Sequence, residues 1–351
     1  MTHPNVQTCE LCHKEFRNLK LHLKRKTPCN KKIVKQKNDP VFQLENQFEK
    51  LNIEKYQKPL LKWVGGKTQL LDTIMHLFPQ CIENYYEPFV GGGSVLFAFL
   101  CLVQNEEIKV NAAIHAYDSN KKLIDFYVVV QNHCGALYEE IKKLNEDYNS
   151  INTLNGNRKP SNKEEALQSK ESYYYYNRKI FNQTTTDDIK SASLFLFLNK
   201  TCFRGVYRES PKSGFNVPFG NYASTLVMVS KNELFKVHNL IKNVVFKCQD
   251  FQKLSAKSGD FVYFDPPYYP VKKGKSFLGY TPNGFNSHKE LFTMLRDLNE
   301  KNVKFVMSNS CVQEVKDATE TFEHIVIDAR RAIHCKKPGS TCQELLIQNY
   351  F

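Results

Sequence analysis

Between Pro59 and Val130, short apolar runs rich in branched or aromatic residues alternate with helix-like stretches. YYEPFV (85–90) and IHAYD (114–118) are compact and rich in aromatic and branched residues, the composition of buried strands. SVLFAFLCLV (94–103) and NKKLIDFYVVV (120–130) have the length and spacing of helices. Such alternation predicts βαβ units and a parallel sheet. From about residue 136 the pattern changes. ALYEEIKKLNEDYN (136–149), YYYYNRKIFN (173–182) and ASLFLFLNKTCF (192–203) predict helices, and SPKSGFNVPFGNY (210–222) an irregular basic loop. Strand-like runs return with VVFKCQDF, DFVYFDPPYY, VKFVMSNS and FEHIVIDAR, and the chain ends with CQELLIQNYF. The expected fold is an open α/β sheet interrupted by a mostly helical insertion.

These shifts divide the chain into four stretches. Residues 1–40 carry a Cys/His-bearing segment that closes on the polar linker NKKIVKQKNDP. Residues 56–135 hold the first part of the α/β core, 136–235 the insertion, and 236–351 the rest of the core.

Composition narrows the class. With 41% hydrophobic, 13% aromatic and 24% charged residues, the chain is that of a globular protein and not of a disordered one. No run approaches the ~18 apolar residues of a membrane span. The opening MTHPNVQTCELC lacks the basic and then apolar stretches of a secretion signal, so an intracellular protein is expected. Eleven cysteines, an odd number, fit reduced thiols or metal ligands better than a disulfide framework. Residues 1–40 hold ten Lys or Arg against three acids, so +7 of the net +13 sits there. That balance favours a polyanionic partner.

The sharpest motif is Asp265-Pro266-Pro267-Tyr268, directly after the apolar run FVYF. In an open α/β sheet, ligands bind outside the carboxyl ends of the strands, so the tetrapeptide projects into a site. The lone pair of an exocyclic base amine is delocalised into the ring, and it becomes nucleophilic as the nitrogen turns tetrahedral. Asp265 can accept a hydrogen bond from such an amine, and the Pro266 carbonyl a second. Paired prolines stiffen the loop, and Tyr268 can stack on a base flipped out of a duplex. Taken alone, the tetrapeptide also fits a plain turn. Upstream, Glu87-Pro88-Phe89-Val90-Gly91-Gly92-Gly93-Ser94 gives a glycine-rich turn between a strand and a helix, suited to close backbone approach by a ligand, to holding a nucleotide phosphate or simply to turning the chain. Asp118 follows Gly93 by 25 residues, at the end of the next strand, where such folds present a carboxylate to ribose hydroxyls.

Together KWVGGK (62–67), EPFVGGGS (87–94), AYDSNKKLIDFY (116–127), FNVPFGNY (215–222) and DPPY (265–268) resemble the Dam-type, D12-class DNA adenine N6-methyltransferases. The motifs stand in that family's order, over about Leu60 to Phe351, and their sequence resembles its alpha group. The resemblance implies a Rossmann-like methyltransferase sheet with a target-recognition domain in 136–235. It also implies S-adenosylmethionine as cofactor, double-stranded DNA as partner, and transfer of a methyl group to N6 of a flipped adenine, with GATC the expected site. By position, Trp63 and Lys67 match the cofactor pocket, Phe89, Gly91 and Gly93 its glycine loop, and Asp118 the ribose-binding acid. Asp250 resembles the acid at the cofactor's adenine edge, with Phe251 beside it. Asp265, Pro266 and Tyr268 match the catalytic motif, Asp265 also bordering the cofactor.

The same resemblance makes NKTCFRGVYR (199–208) and FNVPFG (215–220) a DNA-reading hairpin, with Arg204, Val206, Arg208 and Pro218 at contact positions and Arg208 aimed at guanine. Arg204 departs from the pattern, where a shorter polar residue such as Asn is usual. Contacts to phosphate alone are the other reading of both arginines. Tyr173 to Tyr176 suggest a base-stacking platform, but a helix cannot turn four consecutive residues to one face, so part of the run is expected in the core.

Cys9-x2-Cys12-x9-His22-x6-Cys29 has the ligand types and spacing of a tetrahedral structural zinc site, with Phe16 and Leu19 as a small apolar core. A basic arm with fortuitous cysteines is the alternative. For the whole chain, the competing functions are a catalytically silent DNA-binding scaffold and an RNA methyltransferase. Protein-glutamine methyltransferases resemble the tetrapeptide with Asn in first place, which Asp265 disfavours.

Overall fold

The computed structural model describes residues 55–184, 188–270, 285–330 and 341–350, with the backbone of two further short strands, Gln7–Thr8 and Glu15–Phe16. The chain divides into two compact units, Met1–Glu54 and Lys55–Phe351. In the first, Gln7–Thr8 pairs antiparallel with Glu15–Phe16. The four expected zinc ligands, Cys9, Cys12, His22 and Cys29, lie outside the described residues.

The second unit is built on a seven-stranded sheet. Its strands in chain order are β1 (Tyr85–Glu87), β2 (Ile114–Asp118), β3 (Val244–Cys248), β4 (Phe261–Phe264), β5 (Lys304–Ser310), β6 (Glu323–Arg330) and β7 (Thr341–Gln348). In space they run β3-β2-β1-β4-β5-β7-β6, with β1 to β5 parallel and β7 antiparallel to both its neighbours. The chain builds β1, β2 and β3 outward in one direction, then returns to lay β4 and β5 on the other side of β1. The order therefore reverses between β1 and β4, whose register pairs Phe261 with Tyr85 and Val262 with Tyr86. The carboxyl ends of these two strands carry the glycine-rich turn and the DPPY tetrapeptide. A crevice at such a reversal is where open α/β sheets take their ligands.

The described helices are α1 (Leu71–His76), α2 (Ser94–Gln104), α3 (Lys121–Asn132), α4 (Cys134–Ser150), α5 (Lys163–Ala166), α6 (Lys170–Gln183), α7 (Ile189–Thr201), α8 (Lys231–Ile241), α9 (His288–Glu300) and α10 (Gln313–Ala318), with α5 and α6 packed within the insertion. Strand alternation sorts β4 between two cores: Phe261 and Tyr263 join Phe78, Tyr85 and Phe99 on one face, while Val262 and Phe264 join Phe305, Met307, Leu291 and Val315 on the other. The first core continues into the insertion through Tyr173, Tyr174 and Phe197, so the helical segment shares one apolar interior with the sheet. Its central helix, α7, is buried from Ser191 to Asn199, as its run of Leu and Phe requires.

The element reading from sequence holds with local differences. The strand expected through Val90 stops at Glu87, since Pro88 has no N–H for a ladder and the chain must turn into the glycines. The helix expected through Phe203 ends at Thr201 and gives way to a single 3-10 turn, Phe203–Gly205, in which Arg204 takes a left-handed φ of 57°. Within the irregular loop, Gly214 at φ 61° turns a short antiparallel pair, Glu209–Ser210 with Gly214–Phe215. As expected, Tyr173 and Tyr174 are buried and Tyr175 and Tyr176 only partly so.

Candidate active site

The site forms where the motifs after β1, β2 and β4 converge with the segment before α1. Lys67 is nearly fully buried, and its side chain and backbone are both tied down. Its Nζ lies 2.7 Å from Asp265 Oδ2 and donates to the Gly65 carbonyl at 2.7 Å, and its backbone N–H donates to Ser94 Oγ at 3.1 Å. One lysine thus joins the DPPY tetrapeptide, the KWVGGK segment and the start of α2. The same ammonium stands over the Tyr268 ring, 4.9 Å from its centroid. Burial pushes the Asp265 carboxyl above the ordinary Asp range, the Lys67 ammonium pulls it back, and the nearby Glu344 charge adds to the rise.

The glycine loop is shaped around Trp63. A Cβ added at Gly92 would meet Trp63 Cβ at 2.8 Å, and one at Gly91 would meet Trp63 Cδ1 at 3.0 Å. Only glycine lets the backbone lie this close to the indole. Asp118 closes the loop from β2, accepting from Gly91 N–H at 3.1 Å and Asn120 N–H at 2.9 Å, while the Tyr127 hydroxyl donates to the Gly91 carbonyl at 2.9 Å. Burial lifts Asp118 to about 6 against the opposing pull of those backbone donors. Phe89 faces Phe251 and Phe285 at centroid distances of 5.3 and 5.8 Å, a small aromatic cluster beside the loop. Asp250 is exposed and caps the short turn Phe251–Lys253 by accepting from Gln252 N–H at 2.9 Å.

On the insertion side, Trp63 stacks on Tyr207 at 5.5 Å and packs against Phe195. Asn199 grips Lys62 by both backbone groups, accepting its N–H at 2.8 Å and donating to its carbonyl at 2.7 Å. The Pro218 carbonyl accepts Phe203 N–H at 2.9 Å, which sets the two halves of the expected DNA-reading hairpin side by side. Arg204 and Arg208 are exposed, Val206 is half-buried and Pro218 exposed. The Arg208 Nε donates to Asn216 Oδ1 at 2.7 Å, holding the guanidinium out along the hairpin.

Three contributors escaped the sequence reading. Glu87, quoted there only as part of the glycine motif, is fully buried. Burial pushes its carboxyl up to about 8, opposed first by the Tyr85 hydroxyl donating at 2.7 Å and enhanced by the charge of Asp265. Glu344 accepts from the Tyr268 hydroxyl at 2.7 Å. Asn309, buried on β5, accepts from Tyr269 N–H at 3.0 Å. Glu87 was findable as the acid that ends a strand beside glycines. The other two depend on strand pairing that no local pattern announces.

A profile of the D12 class N6 adenine-specific DNA methyltransferases matches residues 63–333. The chain belongs to this family. The methyltransferase is 36% identical over 307 residues to the type II methyltransferase M.MjaIII of Methanocaldococcus jannaschii, covering 84% of this chain and 99% of that protein. It is 31% identical to the DNA adenine methylase of Haemophilus influenzae, over 72% of this chain and 79% of that one, and 28% identical to that of Escherichia coli, over 80% and 90%. Residues 1–62 precede the matched part of the methyltransferase. Among the described residues, no helix is long and apolar enough to cross a membrane, and Cys81, Cys101, Cys134, Cys202, Cys248, Cys311 and Cys342 are free thiols.

Proposed function

We propose that this enzyme transfers a methyl group from S-adenosylmethionine to N6 of an adenine flipped out of double-stranded DNA, within GATC. The observation that carries the reading is the Lys67–Asp265 contact at the reversal of strand order, where the glycine loop and the DPPY tetrapeptide face one crevice. The donor set suits the cofactor: a glycine backbone pressed against an indole, a carboxylate at the end of β2 for ribose hydroxyls, and the Phe89–Phe251–Phe285 cluster for a purine. When bound, S-adenosylmethionine supplies a methyl group on a positively charged sulfur, a good leaving group.

The rest of the chemistry belongs to the chain. Lys67 fixes Asp265 by one oxygen, and a carboxylate offers about four lone-pair directions, so the others can accept from the target amine. With the Pro266 carbonyl, Asp265 draws the amine toward tetrahedral geometry and frees its lone pair for direct in-line attack, without a covalent enzyme intermediate. The methylated nitrogen then carries one proton too many. Asp265, made more basic by burial, takes it. With the Lys67 ammonium over one face of Tyr268, the opposite face is offered to the flipped adenine.

Residues 136–235 act as the target-recognition region in this reading, with Arg208 pairing to a guanine and Arg204, Val206 and Pro218 bordering the bases. Cys9, Cys12, His22 and Cys29 hold one structural zinc ion, and the basic segment around them adds affinity for DNA. Sequencing modified bases in DNA from cells expressing the chain tests the main claim. N6-methyladenine confined to GATC, and absent with Asp265→Ala, is the expected result. No N6-methyladenine would remove the activity, and a different sequence context would remove the GATC assignment.

A further inference from the structure

Glu344 belongs to β7, 76 residues beyond Tyr268, and no sequence motif of the site reaches it. The sheet brings it there. β7 runs antiparallel beside β5, and the register sets Glu344 opposite Ser310 and Leu345 opposite Asn309. Those two β5 residues clasp the residue after the tetrapeptide. Asn309 Oδ1 accepts Tyr269 N–H at 3.0 Å, and Ser310 Oγ donates to the Tyr269 carbonyl at 2.8 Å. Both backbone groups of Tyr269 are thereby fixed to the sheet, and the Pro266-Pro267 pair restricts the chain on the other side. The rotation of the Tyr268 ring is a further freedom that these bonds do not fix.

That freedom is removed by two charges. The Lys67 ammonium sits over the ring, and Glu344 Oε2 receives its hydroxyl at 2.7 Å. A second carboxylate this near Asp265 is electrostatically unfavourable, since its charge helps to hold the Asp265 proton. A half-buried acid stands here where an amide would accept the same hydrogen bond, and its charge opposes ionisation of Asp265. Such places mark functional constraint.

We propose that Glu344 is a positioning residue of the methyl-transfer site: through the Tyr268 hydroxyl it locks the ring at the pitch that receives the flipped adenine. The inference rests on the reading of Tyr268 as the stacking wall for the base. Glu344 touches neither base nor cofactor in this role and acts only through the phenol oxygen. A charge-assisted hydrogen bond of this kind is strong enough to fix an aromatic side chain against its rotational freedom.

The test is a double-variant cycle in the full chain, read by single-turnover methyl transfer at saturating DNA and cofactor. Cofactor affinity is followed by calorimetry, and base extrusion by 2-aminopurine fluorescence at the target position. Tyr268→Phe keeps the ring and deletes the hydroxyl. Glu344→Ala deletes the acceptor, and Glu344→Gln keeps an uncharged one should the alanine variant fold poorly. Tyr268→Phe and Glu344→Ala are each expected to slow transfer by roughly 10-fold or more, the scale of a hydrogen bond to a charged group. The double variant is expected to be no slower than either single one, cofactor affinity to stay within about twofold, and Glu344→Gln to lie between Glu344→Ala and the unaltered enzyme. Rates for Tyr268→Phe equal to the unaltered enzyme, or effects that multiply in the double variant, overturn the proposal. Unchanged transfer by Tyr268→Ala would instead overturn the stacking role itself, which keeps the two failures apart.

Discussion

Trp63 and Tyr207 stack with centroids 5.5 Å apart and planes at 26°, one residue before Arg208 on the expected DNA-reading hairpin. The indole also lines the glycine loop, so a single aromatic contact ties that loop, the cofactor side of the crevice in the proposed function, to the hairpin. Tyr207→Leu keeps an apolar filler but removes the stack, worth about 0.5–1.5 kcal/mol beyond burial. We expect cofactor affinity to fall by roughly 2- to 10-fold on that account, with Tyr207→Phe close to the unaltered enzyme. Calorimetric titration measures both variants. Equal affinities across all three proteins would show that the stack transmits nothing to the pocket.

In the proposed step an ionised Asp265 is the stronger acceptor for the amine and the base that takes its proton, and burial opposes ionisation while Lys67 favours it. Asp265→Ala should abolish transfer and leave cofactor affinity within about tenfold. Removing the ammonium by Lys67→Met should raise the Asp265 pKa further. The acid limb of the rate profile, where activity is lost as pH falls, should then move to higher pH. An acid limb in the same position for Lys67→Met, measured at saturating cofactor, would mean that the ion pair does not govern the catalytic carboxylate.

Asp118 carries a similar test for the cofactor side. Its folded pKa of about 6 lies above the ordinary Asp value because of burial. The ionised Asp118 that the proposed ribose contact requires is therefore present above that pH and lost as pH falls through it. Cofactor affinity should weaken between about pH 7 and pH 5, and Asp118→Asn should bind more weakly at pH 7 with a flattened profile. A pH-independent dissociation constant in the unaltered enzyme would exclude this carboxylate from binding.

Much of this arrangement was legible in the sequence because it depends on local pattern. Strand-end placement of Asp118 and Asp265, glycines where the indole presses on the backbone, and the helices α2, α3, α4 and α6 all follow from periodicity and turn chemistry. What escaped is set by pairing at a distance. Glu344 and Asn309 reach the tetrapeptide only because β7 lies beside β5, an order no run of residues encodes. Helices α1, α5, α8, α9 and α10 have no counterpart in the sequence pattern described above, although α8 opens on a capping box between Ser230 and Glu233. The shared core of sheet and insertion was hidden for the same reason as Glu344: patterning shows which faces are apolar but not what they meet.

Glu87 is a buried acid whose pKa of about 8 lies far above its unfolded value, so the folded protein holds a proton that the unfolded chain releases. Stability should decline as pH rises from the unfolded pKa, about 4.5, toward 8, and level off above it. Glu87→Gln keeps an acceptor for the Tyr85 hydroxyl and carries no titrating proton. Its melting temperature should fall less than that of the unaltered protein between pH 6 and pH 9. Parallel melting curves for the two proteins over that range would mean that Glu87 titrates alike folded and unfolded.

The segment before the catalytic unit makes the last case. Cys9, Cys12, His22 and Cys29 provide four ligands of the types that complete a tetrahedral zinc site, which leaves no position for a catalytic water. A stretch this short buries too little apolar surface to offset its chain entropy, so its folding should depend on the metal. The family match begins at Trp63, so the chemistry should survive without it. A chain starting at Val41 is expected to methylate the same sites at saturating DNA. It should bind DNA more weakly and with a shallower salt dependence, because residues 1–40 take +7 of the +13 net charge with them and fewer counterions are released. Metal analysis of the full chain under reducing conditions should find close to one zinc, and of the shortened chain none. Zinc well below one equivalent in the full chain would remove the metal site. Complete loss of methylation on truncation would show instead that the segment takes part in forming the active enzyme, and an unchanged salt slope would take it off the DNA.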